Sequence, residues 1–286
     1  MLNNKYKIIF FGSAEFSVPI LEILIQNKMI DAVISSPPKP IGRRQIITPT
    51  PVSQLAAQNQ MAVFEPENLN DEKFLSQIKK IRPDLFLVAA YGKILPKIIL
   101  EIPSAGAINV HGSLLPKYRG SSPLQAALLN GDKETGLTFI LMDEKVDHGP
   151  ILVKKKIKIK KNCTYSELSK EMSFLAAKIT PSVIEDFLNK KIKPLPQNED
   201  EASYVKTIKK EDGHVDFNMP ADKIQNPIGD TAPKLMGAVI KYKNQITIQT
   251  FDRLLLVKKL QLEGQKSMDI SSFLNGHTDF VGSQLF

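Results

Sequence analysis

The sequence predicts an α/β protein with an open, mainly parallel sheet covered by helices on both faces, followed by a small all-β module. In the first 110 residues, short apolar runs alternate with helix-length amphipathic segments. Gly and Pro punctuate the changes between them. After a Pro-containing, acidic stretch at 189–203, the pattern changes to short strand-like runs.

Residues 7–11 (KIIFF) form an apolar run that stops at Gly12. Ser17, Val18 and Pro19 make a helix start, with Ser at the cap and Pro in the first turn, and the apolar pattern continues through Ile25. Residues 30–35 predict a strand, 50–59 a helix, 61–64 a strand, 71–81 a helix and 84–89 a buried strand. Residues 107–110 repeat the strand pattern, and 138–141 and 151–159 predict antiparallel strands. The lysine-rich run 154–161 (KKKIKIKK) has the charge of a nucleic-acid patch, but isoleucine alternates with lysine. It reads as an edge strand with Ile157 and Ile159 inward, where lysine discourages edge-to-edge association. Residues 165–188 predict a long amphipathic helix interrupted at Pro181. Beyond it, 239–242, 246–250 and 254–262 predict short strands. The expected domains are 1–189, a linker at 190–206, and a C-terminal β domain at 207–286.

The chain has 286 residues, 42% hydrophobic and 24% charged, a soluble globular composition. No apolar run approaches the roughly 20 residues of a membrane span. The start, MLNNKYKIIFF, lacks the features of a signal peptide. The single cysteine, Cys163, excludes an internal disulfide and a multi-cysteine zinc site. A cytoplasmic, non-membrane protein is expected. His111, His148, His214 and His277 are scattered without metal-ligand spacing, so no metal is expected. The net charge of +8 suits a polyanionic partner without defining one.

Ligands of open α/β sheets bind beyond the carboxyl ends of the strands. At the first such end, GSAEFS from Gly12 lacks the second and third glycines of a dinucleotide turn, which disfavours NAD. The stretch AINVHGSLLPKYRGSSP at 107–123 carries more. Asn109 and His111 lie two apart at a strand end, so the pleat sends both side chains to one face. An amide and an imidazole there suit a carbonyl oxygen that becomes an oxyanion under attack. Near residues 142–150, a polar loop (MDEKVDHGP) offers three carboxylates, any one of which could fix the tautomer of His111. Spacing alone does not choose among them.

These residues resemble the folate-dependent formyltransferases. The match rests on Asn109-x-His111-x-Ser113-Leu114-Leu115-Pro116-x-Tyr118-Arg119-Gly120 and on Asp147 in its Asp-x-Gly setting. The resemblance implies a Rossmann-like formyltransferase domain and an abbreviated β-barrel-like (OB-like) C-terminal domain that binds tRNA. It implies Asn109, His111 and Asp147 as catalytic triplet, and Ser113, Leu114, Leu115 and Pro116 in contact with the folate. Tyr91 and Gly92, in AAYGKILP at 89–96, resemble the loop that encloses the pterin.

GSAEFSVPI at 12–20 is similar to the opening loop of the branch that acts on charged tRNA. PPKPIGRRQIITPTPV at 37–52 is similar to that branch's basic insertion, which implies Arg43, with Arg44 and Lys39, as tRNA-binding. KTIKKEDGHVDF at 206–217 resembles the approach to the C-terminal domain. The chain departs from the family pattern at Pro38, Lys39 and Arg44, at QNPIGDTAPKLMG (225–237), and in having no tryptophan. The implied activity is formyl transfer from 10-formyltetrahydrofolate, a consumed cosubstrate, to methionine on initiator tRNA, by a monomer without protein partners. The rival readings are transfer to an amino sugar nucleotide, formyl-folate hydrolysis, and a non-catalytic RNA-binding protein. The basic insertion argues against the amino sugar.

Overall fold

A computed structural model describes residues 6–42, 44–161, 163–209, 212, 227–228, 238–242, 245–250 and 254–285. The chain divides into two compact units: Met1–Leu128 with Asp132–Thr207, and Leu129–Gly131 with Ile208–Phe286.

The first unit is built on a seven-stranded sheet. Its strands are β1 (Ile8–Gly12), β2 (Ala32–Ile34), β5 (Ala62–Phe64), β6 (Leu85–Ala89), β7 (Ala107–His111), β9 (Glu134–Leu141) and β10 (Ile151–Lys158), in the order β10-β9-β7-β6-β1-β2-β5. The five on the β7 side of β9 run parallel, while β9 is antiparallel to both β7 and β10. Side-chain parity divides the core. Ile8, Phe10, Leu85, Leu87, Ile108 and Val110 face the cluster of α1 (Val18–Gln26) and α6 (Tyr165–Leu188). Ile9, Phe11, Phe86 and Val88 face the cluster of α3 (Glu72–Ile81). Burial on both faces is what the continuous apolar strands require. Two short helices, α4 (Lys97–Leu100) and α5 (Pro123–Leu129), lie in the connections on either side of β7.

Local chemistry sets the helix ends. Thr50 caps α2 (Pro51–Gln58) through the Ser53 amide at 3.0 Å, and Asp71 caps α3 through the Phe74 amide at 2.8 Å. Thr164 and Glu167 form a reciprocal capping box on α6. That helix runs unbroken through Pro181, contrary to the expected interruption. Buried Ala176, Ala177, Thr180, Val183 and Ile184 flank the proline. Their packing outweighs a lost backbone hydrogen bond, a cost of about 3 kcal/mol in an interior turn. The Thr180 hydroxyl is satisfied by the Ala176 carbonyl at 2.7 Å.

The lysine-rich run is the edge strand β10, with Ile157 and Ile159 packed on the core and its lysines exposed. The basic segment after β2 is a hairpin, β3 (Lys39–Ile41) paired with β4 (Ile46–Thr48). Among the described residues, no helix is long and apolar enough to cross a membrane.

Residues 190–206, expected as a linker, lie within the first unit. Leu195 bridges Ile151, and β11 (Tyr204–Val205) pairs in parallel with β8 (Arg119–Gly120). The second unit contains a four-stranded sheet of β12 (Pro227–Ile228), β15 (Leu254–Leu256), β14 (Gln245–Gln249) and β13 (Val239–Tyr242). The expected strand at 254–262 is two pieces, because β15 pairs with β14 while β16 (Lys259–Leu260) pairs with β17 (Met268–Asp269). Val239, Ile246, Ile248 and Val257 centre its apolar cluster, joined by Ile270 and Leu274 of α7 (Ile270–Gly276). Most of 206–217 and 225–237 lies outside the described residues.

Candidate active site

The site gathers where β7 ends. Val88 on β6 and Ile140 on β9 are the register partners of Asn109, and Thr138 is that of His111. Asn109 and His111 leave β7 on one face, as alternation requires. His111 is buried at 5% exposure.

Asp147 closes the constellation from the loop between β9 and β10. Its Oδ1 accepts from the Asn109 amide nitrogen at 3.1 Å, and its Oδ2 accepts from the Gly120 backbone N–H at 2.8 Å. The same Oδ2 lies 3.5 Å from His111 Nδ1. On the other side of the ring, Nε2 lies 2.8 Å from the Tyr118 carbonyl oxygen. A carbonyl only accepts, so Nε2 carries hydrogen and Nδ1 is the atom turned to the carboxylate. Both ring nitrogens therefore face acceptors, an arrangement that a doubly protonated ring satisfies at both ends. Of the three carboxylates in the loop, geometry selects Asp147. Asp143 instead holds His148 Nδ1 at 2.5 Å, and Glu144 pairs with Lys97 at 2.7 Å on the surface.

The loop after His111 is tightly tied. Ser113 Oγ donates to the Lys117 carbonyl at 2.5 Å. Thr138 Oγ1 donates to the Ser113 carbonyl at 2.6 Å and accepts from the Leu115 N–H at 3.0 Å. Leu115 is fully buried against Ile140 and Ile151, and Pro116 follows a cis peptide bond. Leu114 alone among Ser113, Leu114, Leu115 and Pro116 is half-buried rather than buried.

The neighbouring β6 loop carries Tyr91 and Gly92. Tyr91 stacks edge-on against Phe11 and is 2% exposed, yet its hydroxyl has no hydrogen-bond partner among the described residues. Burial pushes that phenol up to about 12. Gly92 is exposed and adopts a positive φ of 82°. Lys93 donates to the Pro66 and Glu67 carbonyls at 2.9 and 3.1 Å. Burial and then the charge of Lys39 lower its pKa, opposed by the charge of Glu67. Lys39 and Arg44 are exposed on the hairpin with Ile41, Ile46 and Ile47. Arg43 lies outside the described residues.

Sequence reasoning missed a polar cluster behind Asp147. The Arg119 side chain is fully buried and donates to Glu199 at 2.6 and 2.9 Å, to Gln197 at 2.9 and 3.1 Å, and to the Tyr204 hydroxyl at 3.0 Å. Glu199 raises the pKa of Arg119, and Arg119 in return holds Glu199 below the usual carboxylate range. Arg119 stood in the recognised motif, but Gln197 and Glu199 carry no local signal. They sit in a polar stretch indistinguishable by composition from a connector. Among the described residues no group of three or more His, Cys, Asp or Glu could hold a metal ion.

A half-buried amide, a buried imidazole and a half-buried carboxylate meet at a strand end, an arrangement chemically suited to stabilising an oxyanion formed from a carbonyl. Residues 6–184 match the formyl transferase family model, and 227–278 match the formyl transferase C-terminal domain. A methionyl-tRNA formyltransferase of Thermodesulfovibrio yellowstonii is 38% identical, the alignment covering 98% of each chain. One from Caldanaerobacter subterraneus is 36% identical over 95% of this chain and 97% of that relative. The chain belongs to the formyltransferase family, in its methionyl-tRNA formyltransferase branch. Among solved structures, a sugar 3N-formyltransferase crystallised with dTDP and 5-N-formyl-THF aligns with a TM-score of 0.61 at 20% identity, covering 90% of this chain and 100% of that one. HypX from Aquifex aeolicus, in complex with tetrahydrofolic acid, aligns with a TM-score of 0.64 at 13% identity, over 97% of this chain and 48% of that one. These likenesses establish the fold.

Proposed function

We propose that this protein transfers the formyl group of 10-formyltetrahydrofolate to the α-amine of methionine on initiator methionyl-tRNA, for translation initiation. The observation that carries this reading is the convergence of Asn109, His111 and Asp147 in a chain aligned over nearly its whole length with methionyl-tRNA formyltransferases.

The residues divide the work. Asn109 has a second amide hydrogen beyond the one given to Asp147, and His111, when its ring is doubly protonated, places positive charge beside it. Together they stabilise the negative oxygen that develops as the amine attacks the formyl carbon. Asp147 keeps His111 oriented and relays the proton that the amine loses toward N10 of the folate, whose bond to the formyl carbon breaks as tetrahydrofolate leaves. Ser113, Leu114, Leu115 and Pro116 shape the folate side of the site, with Leu114 offering the reachable side chain. Tyr91 and Gly92 enclose the pterin. No metal is needed in this scheme.

Lys39, Arg43 and Arg44 reach the phosphates of the tRNA, and the C-terminal unit holds the rest of it. The protein works as a monomer in the cytoplasm, where its substrates are, without a membrane or protein partner. The test is a formyl-transfer assay with initiator and elongator methionyl-tRNAs side by side, with an amino sugar nucleotide as third acceptor. Labelled formyl on initiator methionyl-tRNA is the expected result. Label only on the sugar would overturn the reading.

A further inference from the structure

We infer that Gln197 is a positioning residue for Asp147, and that the stretch around Gln197–Tyr204 works as part of the active site rather than as a connector. The side-chain amide of Gln197 is engaged at both ends. Its Nε2 donates to the backbone carbonyls of Asp147 and Gly149, each at 2.8 Å, so one group spans the turn that carries Asp147. Its Oε1 accepts from Nε and Nη2 of Arg119.

The turn needs such a hold. Asp147 adopts φ +48°, which disfavours any residue with a Cβ. Gly149 lies so close to the Leu141 carbonyl that a Cβ would collide with it. A two-point donor fixes the turn in this conformation, and with it the direction of the carboxylate toward Asn109 and His111. Behind Gln197, the Arg119–Glu199 pair and the Tyr204 hydroxyl keep the guanidinium in place. Glu199 also stands 3.6 Å from His148 Nε2, a second tie between this segment and the turn. The segment is anchored by β11 on β8, whose Gly120 N–H also holds Asp147. Asp147 is therefore held through its carboxylate by β7 and β8, and through its backbone by Gln197.

This inference rests on the catalytic reading of Asp147 given above. The test compares Gln197→Glu with Gln197→Met in the full chain. Glu keeps an acceptor for Arg119 but has no donor for the turn, whereas Met keeps the volume and bonds to neither. The expected result is a fall in kcat of about 10- to 100-fold in both variants, the scale of a reacting group displaced by about 1 Å. The KM values for methionyl-tRNA and formylfolate should stay within about twofold, since Gln197 makes no bond to either substrate in this reading. Combined with Asp147→Asn, Gln197→Glu should add less than about twofold, because it acts through Asp147. A Gln197→Glu enzyme with parental kcat, or one whose loss multiplies fully with that of Asp147→Asn, overturns the inference. Thermal melting and folate binding of the Glu variant, expected near parental, separate a positioning defect from misfolding; loss of either places Gln197 in stability alone and also overturns it. Parental turnover in Asp147→Asn itself would instead overturn the role of Asp147.

Discussion

His111 Nε2 donates to the Tyr118 carbonyl across 2.8 Å, and this bond decides which face of the imidazole does chemistry. Tyr118 itself sits at φ +62°, so the carbonyl is presented by a turn that the chain holds in an uncommon conformation. With Nε2 committed, Nδ1 is left facing Asp147.

Asn109→Ala and His111→Ala should each lower turnover by at least about a hundredfold, the scale of losing one oxyanion donor. Folate affinity should change little. Steady-state kinetics with both substrates check this, and near-normal turnover in either variant removes that residue from the chemistry.

For Asp147→Asn, a folded protein with a severe defect in turnover is expected. The amide oxygen still accepts from Gly120, but it neither stabilises a charged imidazole nor takes a proton. A pH–rate profile superimposable on the parent's would make Asp147 merely structural.

Tyr91→Phe should act in opposite directions on stability and binding. Removing a buried hydroxyl that has no partner among the described residues relieves about 1 kcal/mol or more, so the ligand-free protein should melt higher. Affinity for formylfolate should weaken if the hydroxyl meets the pterin. Unchanged affinity by calorimetry would leave Tyr91 as packing only.

Glu199→Gln should lower the melting temperature at neutral pH, with the difference closing in acid. Arg119 holds the Glu199 carboxylate below its usual range, so its contribution is present above that range and lost as pH falls through the lowered value. The effect should be modest, because the Glu199 side chain is 55% exposed. Melting curves of both proteins at pH 7 and at about pH 3 test the sign. A gap that widens in acid would contradict the pairing.

Arg43→Ala and Arg44→Ala should raise the apparent KM for methionyl-tRNA and leave folate binding alone. The salt dependence of tRNA binding should weaken by roughly one unit of slope for each phosphate no longer neutralised. Unchanged kinetics across a salt series would remove the hairpin from tRNA recognition.

Much of the first unit was legible in the chain itself. The strands around Ile9, Phe86 and Ile108 are continuous apolar runs because both sheet faces are buried, and the caps at Thr50 and Asp71 are written in single residues. The alternation of Asn109 and His111 put both side chains on one face before any tertiary contact was known. Pro181 was misleading, since propensity is local and packing along α6 overrides it.

What the sequence determined by itself was the sheet, its helices and the two residues at the end of β7, because period and local hydrogen bonding act over a few neighbours. Spacing left three carboxylates open and the family resemblance pointed to Asp147; the tertiary structure supplied the reason, placing its carboxylate against Asn109 and His111, and it turned the basic segment into a hairpin. It also brought Gln197 and Glu199 onto Arg119, across 78 and 80 residues of chain. Such contacts depend on where the backbone returns in space. No periodicity records that return, which only burial of Arg119 and satisfaction of its donors make favourable.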